Sequence, residues 1–435
     1  MMPIKTKKLI IGLSLLALAA GGLLPQQEVL LKISEGMPMV SVALPPFTIR
    51  STSPEAQASA QEIQQTLSND IKCSRIFQLL PKDYYGYIRP LNPDNIFFKD
   101  WDSIQAKLLV TGEIGADDAG RTVFTGKIYD VKSERFIVGK RYQAEKSGLR
   151  LIAHKMADEL MKLYGEKPVF STRIVFVSNR DGNDEIYMMD CDGANQTRIT
   201  FNKVKDYMPA WSPDQRSIAF TSYKRGNADL YIRNIYDGKE TLIASKGTNY
   251  AAAFSPDGKK LAFCSTMSED GNAEIYVLDL ETMKTKRLTY NSAIDTAPSW
   301  SPTGREIAFT SDRTGAGAPQ IYIMDAEGLN VRKVSFGGNY FDSPAWSPTG
   351  DRIAYVSRVE NLFDIYILNL RTNQTTKLTE SNARNESPSW SPDGRHLVFT
   401  SNMSGSLQIY TIDYDGTNLR RLTDRGENKL ANWTD

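Results

Sequence analysis

The stretch "SPAWSPTGDRIAYVS", residues Ser343–Ser357, sets Trp346 directly before a Ser-Pro-Thr-Gly turn and follows that turn with an apolar run. Proline fixes φ at the second position of a type I turn and glycine ends it. The phrase therefore reads as one β-strand, a tight turn and the next strand.

The phrase recurs. Copies stand at Pro209 (PAWSPDQRSIAFTS), Ala252 (AAFSPDGKKLAFCS), Pro298 (PSWSPTGREIAFTS), Pro344 and Pro388 (PSWSPDGRHLVFTS), and "ANWTD" follows at Ala431. The aromatic positions Trp211, Phe254, Trp300, Trp346, Trp390 and Trp433 lie 43, 46, 46, 44 and 43 residues apart, and they hold five of the six tryptophans. A period in the forties carrying several short strands per unit predicts a β-propeller. Each unit supplies a Trp strand, an "IAFTS" strand, an "IYIMD" strand and a strand ending in "RLT", whose alternating β-branched and aromatic residues suit pleated segments. Gln215 replaces the turn glycine in the first copy, Phe254 replaces Trp in the second, and "ETLIAS" at Glu240 stands where "RLT" is expected.

Counting strand types sets the closure. The second strand occurs six times from "RIVFVS" at Arg173 and the third six times from "EIYMMD" at Glu185, both before any Trp strand, whereas the Trp strands run on to Trp433. One strand from the end of the array must therefore complete three from its start, which removes open sheet edges. The expected fold is multi-domain: a small α/β (α+β) N-terminal domain, then an all-β six-bladed propeller closed by a C-terminal strand.

The lead-in divides further. Lys5, Lys7 and Lys8 precede an uncharged, mostly apolar segment from Leu9 to Leu24, too short to span a bilayer and ending near small residues, so residues 1–24 read as a signal peptide. Residues 25–35 form a flexible N-terminal arm whose Val29, Leu30, Leu31 and Ile33 could add to a partner's sheet edge or groove. Residues 36–165 form the α/β domain. It holds a strand at "MVSVALPPF", a helix with Ser53 as N-cap, strands at "AKLLVTGEI", "RTVFTGKIYDV" and "ERFIVGKRYQA", and a helix ending at Gly165. Residues 166–435 form the propeller.

Composition narrows the function. With 41% hydrophobic and 24% charged residues and a formal charge of +1, which becomes about −2 without residues 1–24, nothing favours nucleic acid as a ligand. Cys73, Cys191 and Cys264 have no disulfide or metal-ligand spacing and are expected as buried apolar residues. His154 and His396 leave little for zinc chemistry or a Ser-His nucleophile, and "DGND" at Asp181 lacks the full spacing of a calcium loop. No catalytic residue, cofactor or metal is expected. Just before the Trp strands, where the chain should line the central channel, stand Asp206, Tyr207, Asn249, Tyr250, Asp295, Thr296, Phe341, Asp342 and Glu386. They are the candidate partner-binding mouth, because aromatic anchors among charged groups give an interface affinity and orientation.

An export signal, a small α/β domain and six [WF]-S-P-[DT]-G / IAFxS / IYxMD / RLT units together resemble the TolB family, the periplasmic components of the Tol-Pal system of Gram-negative bacteria. The resemblance runs from about Met37 to Asp435. It implies a non-enzymatic adaptor that binds the peptidoglycan-associated lipoprotein Pal through a propeller face and TolA through the N-terminal arm, with other outer-membrane proteins as further partners. The implied role is outer-membrane integrity and invagination during cell division, in the periplasm and peripheral to membranes. The alternative is a secreted propeller hydrolase, glycosidase, lactonase or peptidase-like, with a channel site on loops that no motif marks.

Overall fold

The computed structural model describes residues 39–50, 53–315, 317–380 and 382–433. The expected signal peptide and the arm residues Val29, Leu30, Leu31 and Ile33 lie outside the described residues.

The first part of the chain forms strands β1 (Val40–Ala43) and β2 (Thr48–Ile49), helix α1 (Pro54–Cys73), strand β3 (Phe77–Leu79), helix α2 (Phe98–Ser103), strands β4 (Leu108–Ala116), β5 (Thr122–Asp130) and β6 (Arg135–Ala144), and helix α3 (Leu149–Leu163). The sheet runs β3-β1-β4-β5-β6, parallel from β3 to β4 and antiparallel beyond, with β2 paired to β4. As expected, Ser53 caps α1, its Oγ accepting from the Ala56 N–H at 3.1 Å. Ile63, Leu67 and Ile71 of α1 and Ile152, Met156 and Leu160 of α3 share one core against this sheet. Gly112 and Gly126 face each other across β4 and β5. A side chain on Gly126 would meet the Met156 sulfur at 2.7 Å, so this glycine lets α3 approach closely, while one on Gly112 would meet the Phe47 and Phe124 rings. The loop that carries α2 covers the opposite face, with Trp101 packed near Leu80 and Leu109.

Six four-stranded antiparallel sheets follow. The closing sheet pairs Asn428–Trp433 with β7 (Arg173–Ser178), which pairs in turn with β8 (Glu185–Asp190) and β9 (Thr197–Arg198). In it Trp433 lies opposite Ile174 and Asn432 opposite Val175, the junction that the strand count demands.

Each sequence word has a packing reason. The Phe of "IAF" and the Tyr of "IYI" are cross-strand partners whose rings lie 5.8 to 6.0 Å apart: Phe176–Tyr187, Phe220–Tyr231, Phe263–Tyr276, Phe309–Tyr322 and Phe399–Tyr410, with Tyr355–Tyr366 in the remaining sheet. The tryptophans join neighbouring sheets. Trp300 and Trp390 donate their indole N–H to Ala253 O (3.1 Å) and Ala345 O (3.0 Å) of the preceding inner strand. The backbone N–H groups of Trp346, Trp433 and Trp211 donate to Ser299, Ser389 and Asn432, again one sheet back. In the Ser-Pro turns the serine hydroxyl bonds the Asp or Thr two residues on, as Ser255 does with Asp257 at 2.6 Å and Ser347 with Thr349 at 2.6 Å.

The linker, residues 166–172 between α3 and β7, is held by hydrogen bonds on both sides. One carboxylate of α3, Asp158, accepts the backbone N–H groups of Val169, Phe170 and Ser171 at 2.9 to 3.0 Å. Glu166 forms a two-pronged pair with Arg395 (2.7 and 2.8 Å), and Arg75, after α1, reaches Asp413 and Thr417 in the propeller. Val169, Phe170, Ile174, Phe176 and Trp433 belong to the same apolar cluster as α1 and α3.

Candidate functional site

In a four-stranded meander, the Ser-Pro turns and the links from third to fourth strand open on one face. The links from second to third strand and those into the next inner strand open on the other. Hydrogen bonds between the latter two sets of links, such as Tyr223 N–H to Lys205 O at 3.1 Å, tie that second face together. The expected mouth lies there.

The inner strands align as Asp206–Trp211, Asn249–Phe254, Asp295–Trp300, Phe341–Trp346, Asn385–Trp390 and Asn428–Trp433. On this alignment Asp342 and Glu386 are equivalent to Tyr207, Tyr250, Thr296 and Lys429, one place after Asp206 and Asp295. The first-place residues Asp206, Asn249, Asp295 and Phe341 are buried. Asp206 accepts from Asn202 at 2.8 Å, and burial raises its carboxyl above the usual range against the pull of Ser222, Asn202 and Thr200. Asp295 accepts from Asn291 (2.7 Å) and from Arg313 (2.9 Å). Asn249 donates to Ala228 O and accepts from Ser265 at 2.7 Å. These polar groups brace the loops from buried positions.

The second-place residues are half-buried and form the inner ring of the mouth. Tyr207 stacks on Tyr223 at 5.8 Å, and burial pushes the phenols of Tyr207 and Tyr250 up. Asp342 accepts from the Ser343 N–H (2.7 Å) and Thr310 (2.9 Å); Glu386 pairs with Arg384 (2.6 Å), and Lys429 with Asp184 (3.0 Å). The ring is thus mixed, with two tyrosines, one threonine, two carboxylates and a lysine.

Sequence reasoning missed the outer ring. Phe201, Tyr290 and Phe336, each directly after the Thr or Ser that ends a fourth strand, are 64, 72 and 68% exposed. A basic residue three positions earlier lies over each ring: Arg198 at 5.0 Å, Arg287 at 4.9 Å and Lys333 at 5.9 Å from the centroid. The signal was present as "RITF", "RLTY" and "KVSF". Ile294 and Val359, at 51 and 60% exposure, extend the same face.

A central cavity of about 620 Å³ opens on the opposite face, bordered by Lys167, Pro168, Ser171 and Thr172 of the linker and by the Ser-Pro turns. Its lining is mostly proline, alanine, serine and tryptophan, with no carboxylate, histidine or cysteine among the described residues.

Comparison with known proteins agrees with this architecture. The model of the TolB beta propeller domain matches residues 160–365 and 341–435, and that of the TolB amino-terminal domain matches residues 31–137. The chain is 34% identical over 256 residues to the Tol-Pal system protein TolB of Desulfosudis oleivorans, covering 58% of this chain and 57% of that protein. It is 34% identical over 260 residues to a TolB homolog of Chlorobium chlorochromatii, covering 59 and 58%. The chain thus spans a little over half the length of these curated relatives. The crystal structure of TolB from Acinetobacter baumannii superposes with a TM-score of 0.75 at 27% identity, over 92% of this chain and 97% of that one.

Proposed function

This chain belongs to the TolB family, and from that premise we propose that it is a periplasmic, non-enzymatic adaptor of the Tol-Pal system. It binds Pal through the propeller face that carries the mouth and TolA through the N-terminal arm around Val29, Leu30, Leu31 and Ile33. By doing so it maintains outer-membrane integrity and supports outer-membrane invagination during cell division. The observation that carries the reading is the face itself: Phe201, Tyr290 and Phe336 stand 64 to 72% exposed around an inner ring of mixed polarity. Exposed aromatics on loops braced by buried carboxylates offer a partner apolar area at little conformational cost. The cavity on the other face supports an adaptor over a hydrolase, since the serines of its lining are accompanied there by no carboxylate or histidine among the described residues to activate them.

The test is the affinity of the full chain for the soluble domain of Pal. The double variant Phe201→Ser/Tyr290→Ser should lose at least about tenfold in affinity, roughly 1.4 kcal/mol, with an unchanged melting temperature because both rings are exposed. Removal of residues 25–35 should abolish TolA capture and leave Pal binding intact. Wild-type affinity for Pal in the double variant would overturn the assignment of the face.

A further inference from the structure

One of the two histidines, His154, has a specific setting in the structure. It lies on α3, 1% exposed, at the contact between the α/β domain and the closing sheet. Its Nδ1 is 2.8 Å from Oδ2 of Asp70, a buried carboxylate of α1. Its Nε2 is buried with no hydrogen-bond partner. Asp190, the last residue of β8, and Asp192, in the link to β9, stand against it: one ring nitrogen and one oxygen from each carboxylate all lie within 4.8 Å of one another. With Nδ1 engaged by Asp70, Nε2 is the nitrogen left to bind a ligand.

We propose that His154, Asp190 and Asp192 bind a divalent transition-metal ion, zinc in the first instance, that clamps the α/β domain to the propeller. An imidazole whose second nitrogen is held by a carboxylate is the arrangement that fixes the tautomer and raises the basicity of a metal-ligating histidine. One imidazole nitrogen with two carboxylate oxygens suits zinc or cobalt, whereas calcium and magnesium favour oxygen-only sets. The side chains of Asp190 and Asp192 are 22 and 18% exposed, which leaves a path for the ion and room for water as a further ligand.

Arg150 bonds Asp192 and Thr66 and lies 4.0 Å from Asp190, while Arg173 is the cross-strand neighbour of Asp190 and Asp70 is engaged by His154. Asn195 donates to Asp190 at 2.7 Å, and the Ala194 N–H to Asp192 at 3.2 Å, so each carboxylate is already aimed by its turn. Arg150 competes with the ion for Asp192. The ligands come from a helix and a strand end that are distant in sequence, which is why no spacing motif marks them.

The test uses the full chain without a histidine tag, stripped with chelator and titrated calorimetrically with Zn²⁺. The expected result is a single site of micromolar or tighter affinity, a visible absorption band with Co²⁺, and a large shift of the His154 Nε2 resonance in ¹⁵N-histidine NMR with His396 as internal control. Asp190→Asn and Asp192→Asn should each weaken zinc by at least about tenfold. Arg150→Gln should tighten it, an outcome that a purely structural ion pair would not give. Zinc binding no tighter than millimolar, binding indifferent to both Asp→Asn changes, an unmoved Nε2 resonance, or equal affinity for Ca²⁺ would each overturn the proposal.

Discussion

Gln215 occupies the turn position held by Gly258, Gly304, Gly350 and Gly394 in the other Ser-Pro turns, and it is driven to φ 58° where those glycines sit at 66 to 80°. A side chain in that left-handed region costs roughly 1–2 kcal/mol. Gln215→Gly should therefore raise the unfolding free energy, by about 0.5–1 kcal/mol once the greater freedom of glycine in the unfolded chain is subtracted. Denaturant unfolding would show a higher midpoint at unchanged slope; a lower midpoint would mean that the glutamine side chain makes contacts that outweigh the strain. Strain of the same kind explains what the sequence hid. The third residue of every inner strand, Met208, Ala251, Ala297, Ser343, Ser387 and Leu430, has φ between 50 and 55°, and the register shifts there by a bulge in all six sheets. No glycine stands at any of these places to announce it. Counting back from the tryptophans aligns the six inner strands, but nothing in the sequence marks the bulge itself.

At the scale of the element, the fourth strand is too short to hold itself, and a hydroxyl does the work instead. Thr200, Thr289, Ser335, Thr379 and Thr423 accept the backbone N–H of an isoleucine of the third strand, from Ile186, Ile275, Ile321, Ile365 and Ile409, at 2.9 to 3.0 Å. Four of them also bond the buried acid or amide directly before that isoleucine, Glu185, Gln320, Asp364 or Gln408. Thr289→Val keeps the shape but leaves the Ile275 N–H buried and unpaired, which should cost about 1–3 kcal/mol. Hydrogen exchange should show faster loss at Ile275 than at Ile307 in the neighbouring sheet; equal protection would refute the role. This is where "RLT" was legible as an element and opaque as chemistry: periodicity located all six sheets, but which hydroxyl met which carboxylate depended on contacts across strands. In the α/β domain, strands β4 to β6 and both long helices were readable from alternation and capping. Strands β2 and β3, of two and three residues, carry too little pattern to stand out from the loops beside them.

On the scale of the whole molecule, closure and domain docking converge on one residue. Trp433 is 5% exposed; its indole N–H donates to Thr172 of the linker at 2.8 Å, its backbone N–H to Ser389 of the preceding sheet at 3.0 Å, and its ring stacks on His396 at 6.4 Å. It lies opposite Ile174 and within the apolar cluster that continues into α1 and α3. Trp300 is as buried, at 7%, but it joins only neighbouring sheets inside the ring. Replacement of either by alanine should cost about 3–5 kcal/mol, and the two losses should differ in kind. Trp300→Ala weakens one seam in a closed ring, so scanning calorimetry should show a single transition at lower temperature. Trp433→Ala loosens the strand that joins the two ends of the array, frees the edges of β7 and of the last inner strand, and removes the shared core that couples the α/β domain to the ring. Its melting profile should therefore divide into two transitions and the protein should aggregate on heating. A single, reversible transition in Trp433→Ala at the temperature of Trp300→Ala would mean that the ring stays shut without this contact, and that the inter-strand hydrogen bonds of Asn428–Trp433 are sufficient for closure.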